Sequence, residues 1–228
     1  MKKNMMMRLA SVLLIAVLMS TCAISGTFAK YVTSDSGSDA ARVAKFGVTV
    51  EAKNFGMFEA DYKTDDKTAT FSGAYSVSAA DGDRDDLMAP GTKGSFANIK
   101  ITGVPEVAVD VAIVADVVIS DNWKDGADKY YCPIVVTVGD TKIDGLNYAS
   151  ATDFATAIKE EIEKKSAQYA PNTDLSSIYD TTNLDLAWEW AFSTGDINDI
   201  RDTALGDKAV TEDLTISIDV AIKVTQID

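Results

Sequence analysis

The sequence predicts a mainly β protein built from stacked antiparallel sheets, and three segments carry that reading. In 214–225, Leu214, Ile216, Ile218, Val220, Ile222 and Val224 alternate with Thr215, Ser217, Asp219, Ala221, Lys223 and Thr225. In 184–192, Leu184, Leu186, Trp188, Trp190 and Phe192 alternate with Asp185, Ala187, Glu189 and Ala191. In 106–119, Val107, Val109, Val111, Ile113, Ala115, Val117 and Ile119 share one side. A period of two places successive side chains on opposite faces, so each segment is a strand with one buried face. One-sided strands of this kind belong to antiparallel sheets rather than to parallel βαβ units.

The elements follow in chain order. Lys2, Lys3 and Arg8 precede the apolar run Leu9–Ile24, which is broken only by Ser11, Ser20 and Thr21. A basic start, a short apolar stretch and a small-residue exit at Ser25-Gly26-Thr27-Phe28-Ala29 predict a secretory signal peptide over 1–29, cut between Ala29 and Lys30. The run is short for the ~20 residues of a membrane-spanning helix, so the mature form is expected to carry no stable span. Residues 30–43 include Thr33-Ser34-Asp35-Ser36-Gly37-Ser38-Asp39-Ala40. A stretch that polar cannot hold itself in a core, and it predicts a mobile N-terminal arm. Residues 44–228 are expected to form a single β domain with a helical insertion at about 150–180.

Within that domain, further strands are expected over 44–53, 67–79, 94–103 and 130–138. Val114 and Val118 lie among the polar residues on the second side of 106–119 and predict partial cover on both faces. Asp81-Gly82-Asp83-Arg84-Asp85-Asp86 leads into the turn Ala89-Pro90-Gly91. A helix is expected over about 152–168, capped by Ser150 with Asp153 three residues on. Phe154, Ala155, Ile158 and Ile162 form its apolar stripe, and Glu160–Lys164 and Glu161–Lys165 its ion pairs. A one-sided helix caps an edge or end of the sheets. A second short helix is expected from Asn198 to Leu205, ending at Gly206.

Composition narrows the function. The chain has 228 residues, a net charge of −14 and a pI near 4.4. The leader holds three of the basic residues and no acidic one, so the remainder is more acidic still. Such a chain repels nucleic acid and anionic membrane surfaces. Removing the leader also removes Cys22, whose preceding Met19-Ser20-Thr21 does not form a lipidation site. Cys132 is then the one remaining cysteine, which rules out an intramolecular disulfide and reads as a small core residue.

There is no histidine anywhere in the chain. Nucleophile–histidine catalysis and histidine-based zinc sites are therefore excluded. Asp35-Ser36-Gly37 matches an aspartic-protease triplet in letters only, since it lies in the polar arm. Two acidic clusters offer oxygen ligands of the calcium type: Asp81, Asp83 and Asp85, and Asp196, Asn198 and Asp202. Neither has EF-hand spacing, and solvated turns account for both. Trp188, Trp190 and Phe192 are expected on one inward face; an exposed aromatic stripe would instead suit carbohydrate.

Several motifs then converge on one family. Gly26-Thr27-Phe28-Ala29 before Lys30-Tyr31 resembles the exit of leaders cut by the SipW-type signal peptidase of Gram-positive bacteria. Ala44-Lys45-Phe46-Gly47-Val48-Thr49-Val50 is similar to the first strand of the TasA/camelysin family. Leu87-Met88-Ala89-Pro90-Gly91 with Ser95-Phe96 resembles its Pro-Gly turn and following strand. Trp188-Glu189-Trp190-Ala191-Phe192, Asn198, Asp202–Gly206 and the ending Val224–Asp228 look like its camelysin branch. Residues 121–183 carry no such likeness.

The resemblance implies a jelly-roll-like, two-sheet sandwich with one peripheral helix. It implies a secreted subunit of extracellular biofilm matrix fibres, assembled by donor-strand exchange. Its partners would be other copies of itself, a SipW-type peptidase and other matrix proteins. Tyr31, Val32 and Val43 would be the apolar side chains of the donated arm. The metallopeptidase label given to some members does not carry over, because the chain lacks His-Glu-x-x-His. The expectation is a non-enzymatic protein without a cofactor, calcium being the one ion its carboxylates could serve. The other readings are a monomeric cell-surface binding module and a secreted hydrolase with a carboxylate-only site.

Overall fold

The computed structural model describes residues 42–52, 57–59, 61–63, 75–78, 86–96, 99–179, 184–192 and 195–227. The chain divides into two units, Met1–Ala44 and Lys45–Asp228. Of the first, only 42–44 belong to the described residues, and they have no regular secondary structure. The second unit is mainly strand, with few helices.

Its strands are β1 (Thr49–Ala52), β2 (Asp61–Lys63), β3 (Tyr75–Ser78), β4 (Lys93–Phe96), β5 (Ile99–Thr102), β6 (Val109–Ile119), β7 (Ile134–Val138), β8 (Thr141–Asp144), β9 (Ala167–Tyr169), β10 (Leu186–Trp190) and β11 (Ile216–Gln226). Its helices are α1 (Ala151–Glu163), α2 (Leu175–Ile178) and α3 (Asp196–Lys208). Among the described residues every strand pairing is antiparallel, as the one-sided alternation predicts. The two larger sheets run β4-β10-β7-β8 and β11-β6-β9; β1-β5 and β2-β3 are two-stranded.

The long pair β6–β11 is the spine of the second sheet, in register from Ile216↔Ile119 to Gln226↔Val109. On β6, Val109, Val111, Ile113, Ala115 and Ile119 are buried. Val114 and Val118 are 55% and 54% exposed, so the second face is open there and the expected double cover is absent. In the other sheet, Ile134, Val136 and Val138 of β7 meet Leu186, Trp188 and Trp190 of β10 across the ladder, and all six are buried.

Phe192 does not join them. It is 78% exposed. The strand ends because Trp190 spends both backbone groups on the Pro90–Gly91 turn: its N–H donates to Thr92 O at 2.9 Å, and its carbonyl accepts from Gly91 N–H at 2.7 Å. Gly91 holds φ +87°, where a side chain is strained. Alternation stops counting once the ladder stops, so the next position of the even-numbered set, Phe192, faces out.

Helix α1 begins as the sequence predicts. Ser150 Oγ accepts from Asp153 N–H at 3.1 Å and donates to Asp153 Oδ2 at 2.8 Å. Its ion pairs are Lys164–Glu161 at 2.8 Å, three residues apart, and Lys159–Glu163 at 3.9 Å, four apart, in place of the expected Glu160–Lys164 and Glu161–Lys165. The helix ends at Glu163, five residues short of the expected limit. Ser166 leaves it to serve β6, with its Oγ accepting from Ile113 N–H at 2.9 Å and donating to Ile113 O at 3.1 Å. Glu163 Oε1 accepts from Ala115 N–H at 3.2 Å. The two side chains continue the ladder where β9 stops. Phe154, Ile158 and Ile162 are buried. The helix packs on β6 and also touches β7 and β8, so it bridges the two larger sheets rather than capping one edge.

Helix α3 runs through Gly206 to Lys208 and is longer at both ends than expected. Strands β2, β8 and β9 and helix α2 are additional to the sequence reading, and the expected strand 94–103 is two strands, β4 and β5, in different sheets. The expected strand 67–79 is represented by β3 alone among the described residues, and β1, β7 and β10 are shorter than their expected ranges.

Candidate functional site

Strand β11, equal in length to β6 at eleven residues, is also an edge among the described residues. Among the described residues β11 pairs with β6 alone. The ladder fixes which of its backbone groups are taken. Ser120 N–H donates to Thr215 O at 3.0 Å, and Ile227 N–H donates to Ala108 O at 3.0 Å. In an antiparallel pair the bonded positions alternate. Odd-numbered residues of β11 therefore face β6, and Ile216, Ile218, Val220, Ile222, Val224 and Gln226 turn their N–H and C=O groups to the outer edge. The opposite edge of β6 obeys the same parity, since Ile113 and Ala115 are the residues met by Ser166 and Glu163.

The side chains of that outer row are unevenly covered. Ile216 and Ile218 are buried, while Val220, Ile222 and Val224 are only half-buried. The sequence reading expected all six apolar residues from Leu214 to Val224 to point into the core. They do share a side, but among the described residues no strand lies beyond β11 to complete the cover. The exposed residues Ser217, Asp219, Ala221 and Lys223 occupy the other face. Asp219 and Lys223 are the charges on this strand, and β11 contains no proline or glycine. The first half of the strand borders a groove of about 310 Å³, in which Met57, Phe58, Met88, Leu214, Ile216 and Ile218 share the walls with Asp86, Thr215, Ser217 and Asp219. An unpaired strand edge beside a partly apolar groove can accept an added strand.

The sequence-level candidates fall as follows. Val43 is 85% exposed. Ala29, Lys30, Tyr31 and Val32 lie outside the described residues, as do Asp81, Asp83 and Asp85. Asp196 opens α3, and its side chain is not among those described. Asn198 and Asp202 stand one helical turn apart and meet one partner. Tyr131 Oη donates to Asp202 Oδ1 at 2.7 Å and approaches Asn198 O at 3.3 Å. Burial and the adjacent Asp202 carboxylate hold the Tyr131 phenol well above its usual range. Asp202 thus accepts from a protein hydroxyl and fixes α3 to the strand-leading segment 130–133. Among the described residues, no three Asp, Glu, Cys or His side chains are arranged to hold a metal ion.

Sequence reasoning missed the rest of this anchor. Arg201 Nε donates to Asp125 Oδ2 at 3.0 Å, and its guanidinium lies 3.8 Å from the Tyr131 ring centroid. Asp125 Oδ1 accepts from the N–H groups of Lys129 and Ala127, at 3.1 and 2.9 Å. The Lys129 N–H is the main cause holding the Asp125 carboxyl below its ordinary range, with Ala127 and Arg201 adding to it. The one local signal was the turn sequence Asp125-Gly126-Ala127-Asp128, in which an aspartate accepts from its own loop. Its cationic partner is 76 residues away.

Cys132 is fully buried, and burial pushes its thiol up to about 12. A thiol so protonated is not a nucleophile at neutral pH. No helix among the described residues is long and apolar enough to cross a membrane. Comparison with protein-family models, with curated proteins and with solved structures found no match to this chain.

Proposed function

We propose that this chain is a secreted structural subunit of extracellular fibres, in which the N-terminal arm of one copy adds as a strand to the β11 edge of the next. The observation that supports it most is the state of β11. Six residues turn their backbone groups to an edge without a described partner, and three of them, Val220, Ile222 and Val224, have apolar side chains that are only half-buried. An incoming strand would satisfy the first and cover the second. Main-chain hydrogen bonds supply affinity in such additions, and alternate side chains fill the pockets. Tyr31, Val32 and Val43 are the arm's apolar contributions.

The same reading places a leader at 1–29 and a jelly-roll-type sandwich in 44–228, in line with the likeness of the motifs to the TasA/camelysin family. It assigns no catalytic role: the chain has no histidine, and Cys132 is buried and protonated. Assembly in the cytoplasm is prevented while the leader is attached, because cleavage after Ala29 frees the arm. The test compares the chain starting at Lys30 with one starting at Ala44, by circular dichroism and electron microscopy. The longer form is expected to give fibres, and the shorter a folded monomer that binds a synthetic 30–43 peptide. Fibres of normal length from the shorter form would contradict the reading.

A further inference from the structure

The groove beside the first half of β11 selects one end of an incoming arm, an inference that rests on the strand addition proposed above. Its volume of about 310 Å³ falls at the low end of the ~300–1,000 Å³ of small-ligand sites, which is room for an aromatic ring. Phe58 and Met88 are half-buried and open to it, with Met57 buried behind. A ring and two thioethers attract a further ring. Asp86 and Asp219 line the same groove and are exposed, and among the described residues no lysine or arginine lines it.

The arm has two unlike ends. Cleavage after Ala29 leaves Lys30 with an α-ammonium and an ε-ammonium, followed at once by Tyr31, the one aromatic residue of 30–43. Both ammonium groups are charged at neutral pH. The Tyr31 hydroxyl can also donate to a carboxylate. At the other end, Arg42 and Val43 supply one charge and no ring. They also stand next to a tether. Lys45 N–H donates to Glu106 Oε2 at 2.9 Å, and Lys45 O accepts from Glu106 N–H at 2.8 Å. Val43 is thus two positions from a residue fixed to its own domain, whereas Tyr31 is at the free end.

We infer that the groove receives the freed N-terminus of a second copy, with the Tyr31 ring against Phe58 and Met88 and the Lys30 ammonium groups facing Asp86 and Asp219. This fixes the direction of the added strand. The groove borders Leu214–Asp219, so an arm entering there runs on toward Gln226, parallel to β11. At ~3.3 Å per residue, residues 30–43 reach ~46 Å against ~36 Å for β11, which leaves a few residues to join the donor's own domain. Before cleavage the α-ammonium does not exist, so the groove distinguishes the cut chain from its precursor.

The test uses the full chain after leader removal. Five of the seven methionines lie in the leader, so this chain keeps Met57 and Met88 alone, and both line the groove. Fibres are assembled from equal parts of two kinds of copy. One carries ¹³C at its methionine methyls; the other carries a nitroxide on Ser34→Cys, the native Cys132 being buried. Both methyl signals are expected to broaden in solid-state NMR spectra. They should be spared when the nitroxide is on Ala41→Cys, ~33 Å from Tyr31 along an extended arm. Tyr31→Ala is expected to raise the critical concentration for assembly roughly tenfold, and Val43→Ala less than about twofold. Removing carboxylates from so acidic a chain lowers its self-repulsion and by itself favours association. Asp86→Asn combined with Asp219→Asn is expected to weaken assembly instead. Broadening from residue 41 and not from 34, unchanged assembly of Tyr31→Ala, or stronger assembly of the double variant would overturn the inference and leave strand addition standing. Absence of fibres from the unaltered chain starting at Lys30 would overturn both.

Discussion

Trp188 donates its indole N–H to the carbonyl oxygen of Met57 at 2.7 Å, through space that Gly94 leaves empty. Phe58 stacks on the same indole at 5.2 Å and Tyr62 meets it edge-on at 6.0 Å. A Cβ on Gly94 would lie 1.8 Å from the Met57 oxygen and 2.5 Å from the Trp188 nitrogen. Gly94→Ala is therefore expected to destabilise the unit by about 3 kcal/mol, at the upper end of overpacking costs. Urea unfolding measures this. An unchanged midpoint would mean that residues 57–58 do not pack over β4.

The last aromatic pair of the 184–192 segment separates core from surface. Trp190→Ala is expected to cost about 3–5 kcal/mol through lost burial and a cavity. Phe192→Ala is expected to cost less than about 0.5 kcal/mol, as for a surface site. Equal shifts in the urea midpoint would contradict the end of β10 at Trp190.

Asp125 gives the fold an acid-sensitive anchor. Its carboxyl is held low in the folded state, chiefly by the Lys129 N–H, so the charged form is the one folding favours. The stability it contributes is present above the ordinary carboxylate range near pH 4 and fades as pH falls through the lower folded value. Asp125→Asn should lower the melting temperature at pH 7, and the gap to the unaltered protein should narrow below about pH 4. A gap that widens on acidification would refute the assignment.

Cys132 should be silent in the native protein. With its thiol near 12, it is expected to resist a thiol-specific disulfide reagent at pH 8 and to react completely in denaturant. Rapid native labelling would mean that the 130–134 segment opens.

The pairing parity of β11 yields an asymmetric prediction. Proline is tolerated on an edge strand where its missing N–H would face outward. Val220→Pro should therefore leave the fold intact while removing fibres. Ala221→Pro should destabilise the domain, because Ala221 faces β6 across the Ala221↔Val114 pair. The reverse ranking in thermal melts would place the free edge on the other set of residues.

The legible parts of the fold were those written in local pattern. Strict alternation marked β6, β10 and β11, and the Ser150–Asp153 spacing marked the start of α1. What stayed hidden depends on partners distant in sequence. Helix α1 ends early because Ser166 serves Ile113, 53 residues away. Phe192 turns outward because the Pro90–Gly91 turn takes both backbone groups of Trp190. Strands β8 and β9, of four and three residues, are too short to show a period. At the candidate site, the alternation of β11 was visible, but alternation does not say whether a strand is central or at an edge. The Arg201–Asp125 pair had no sequence signal beyond the aspartate turn.

The most direct measurement of strand addition at β11 is amide hydrogen exchange in the assembled state, quenched and read residue by residue by NMR. In the form starting at Ala44, the amides of Val220, Ile222 and Val224 should exchange quickly, and those of Asp219, Ala221 and Lys223 slowly, since β6 holds them. In fibres of the chain starting at Lys30, the first set should become as protected as the second. Fibres in which Val220, Ile222 and Val224 remain unprotected, or a Lys30 form that makes no fibres, would contradict the account.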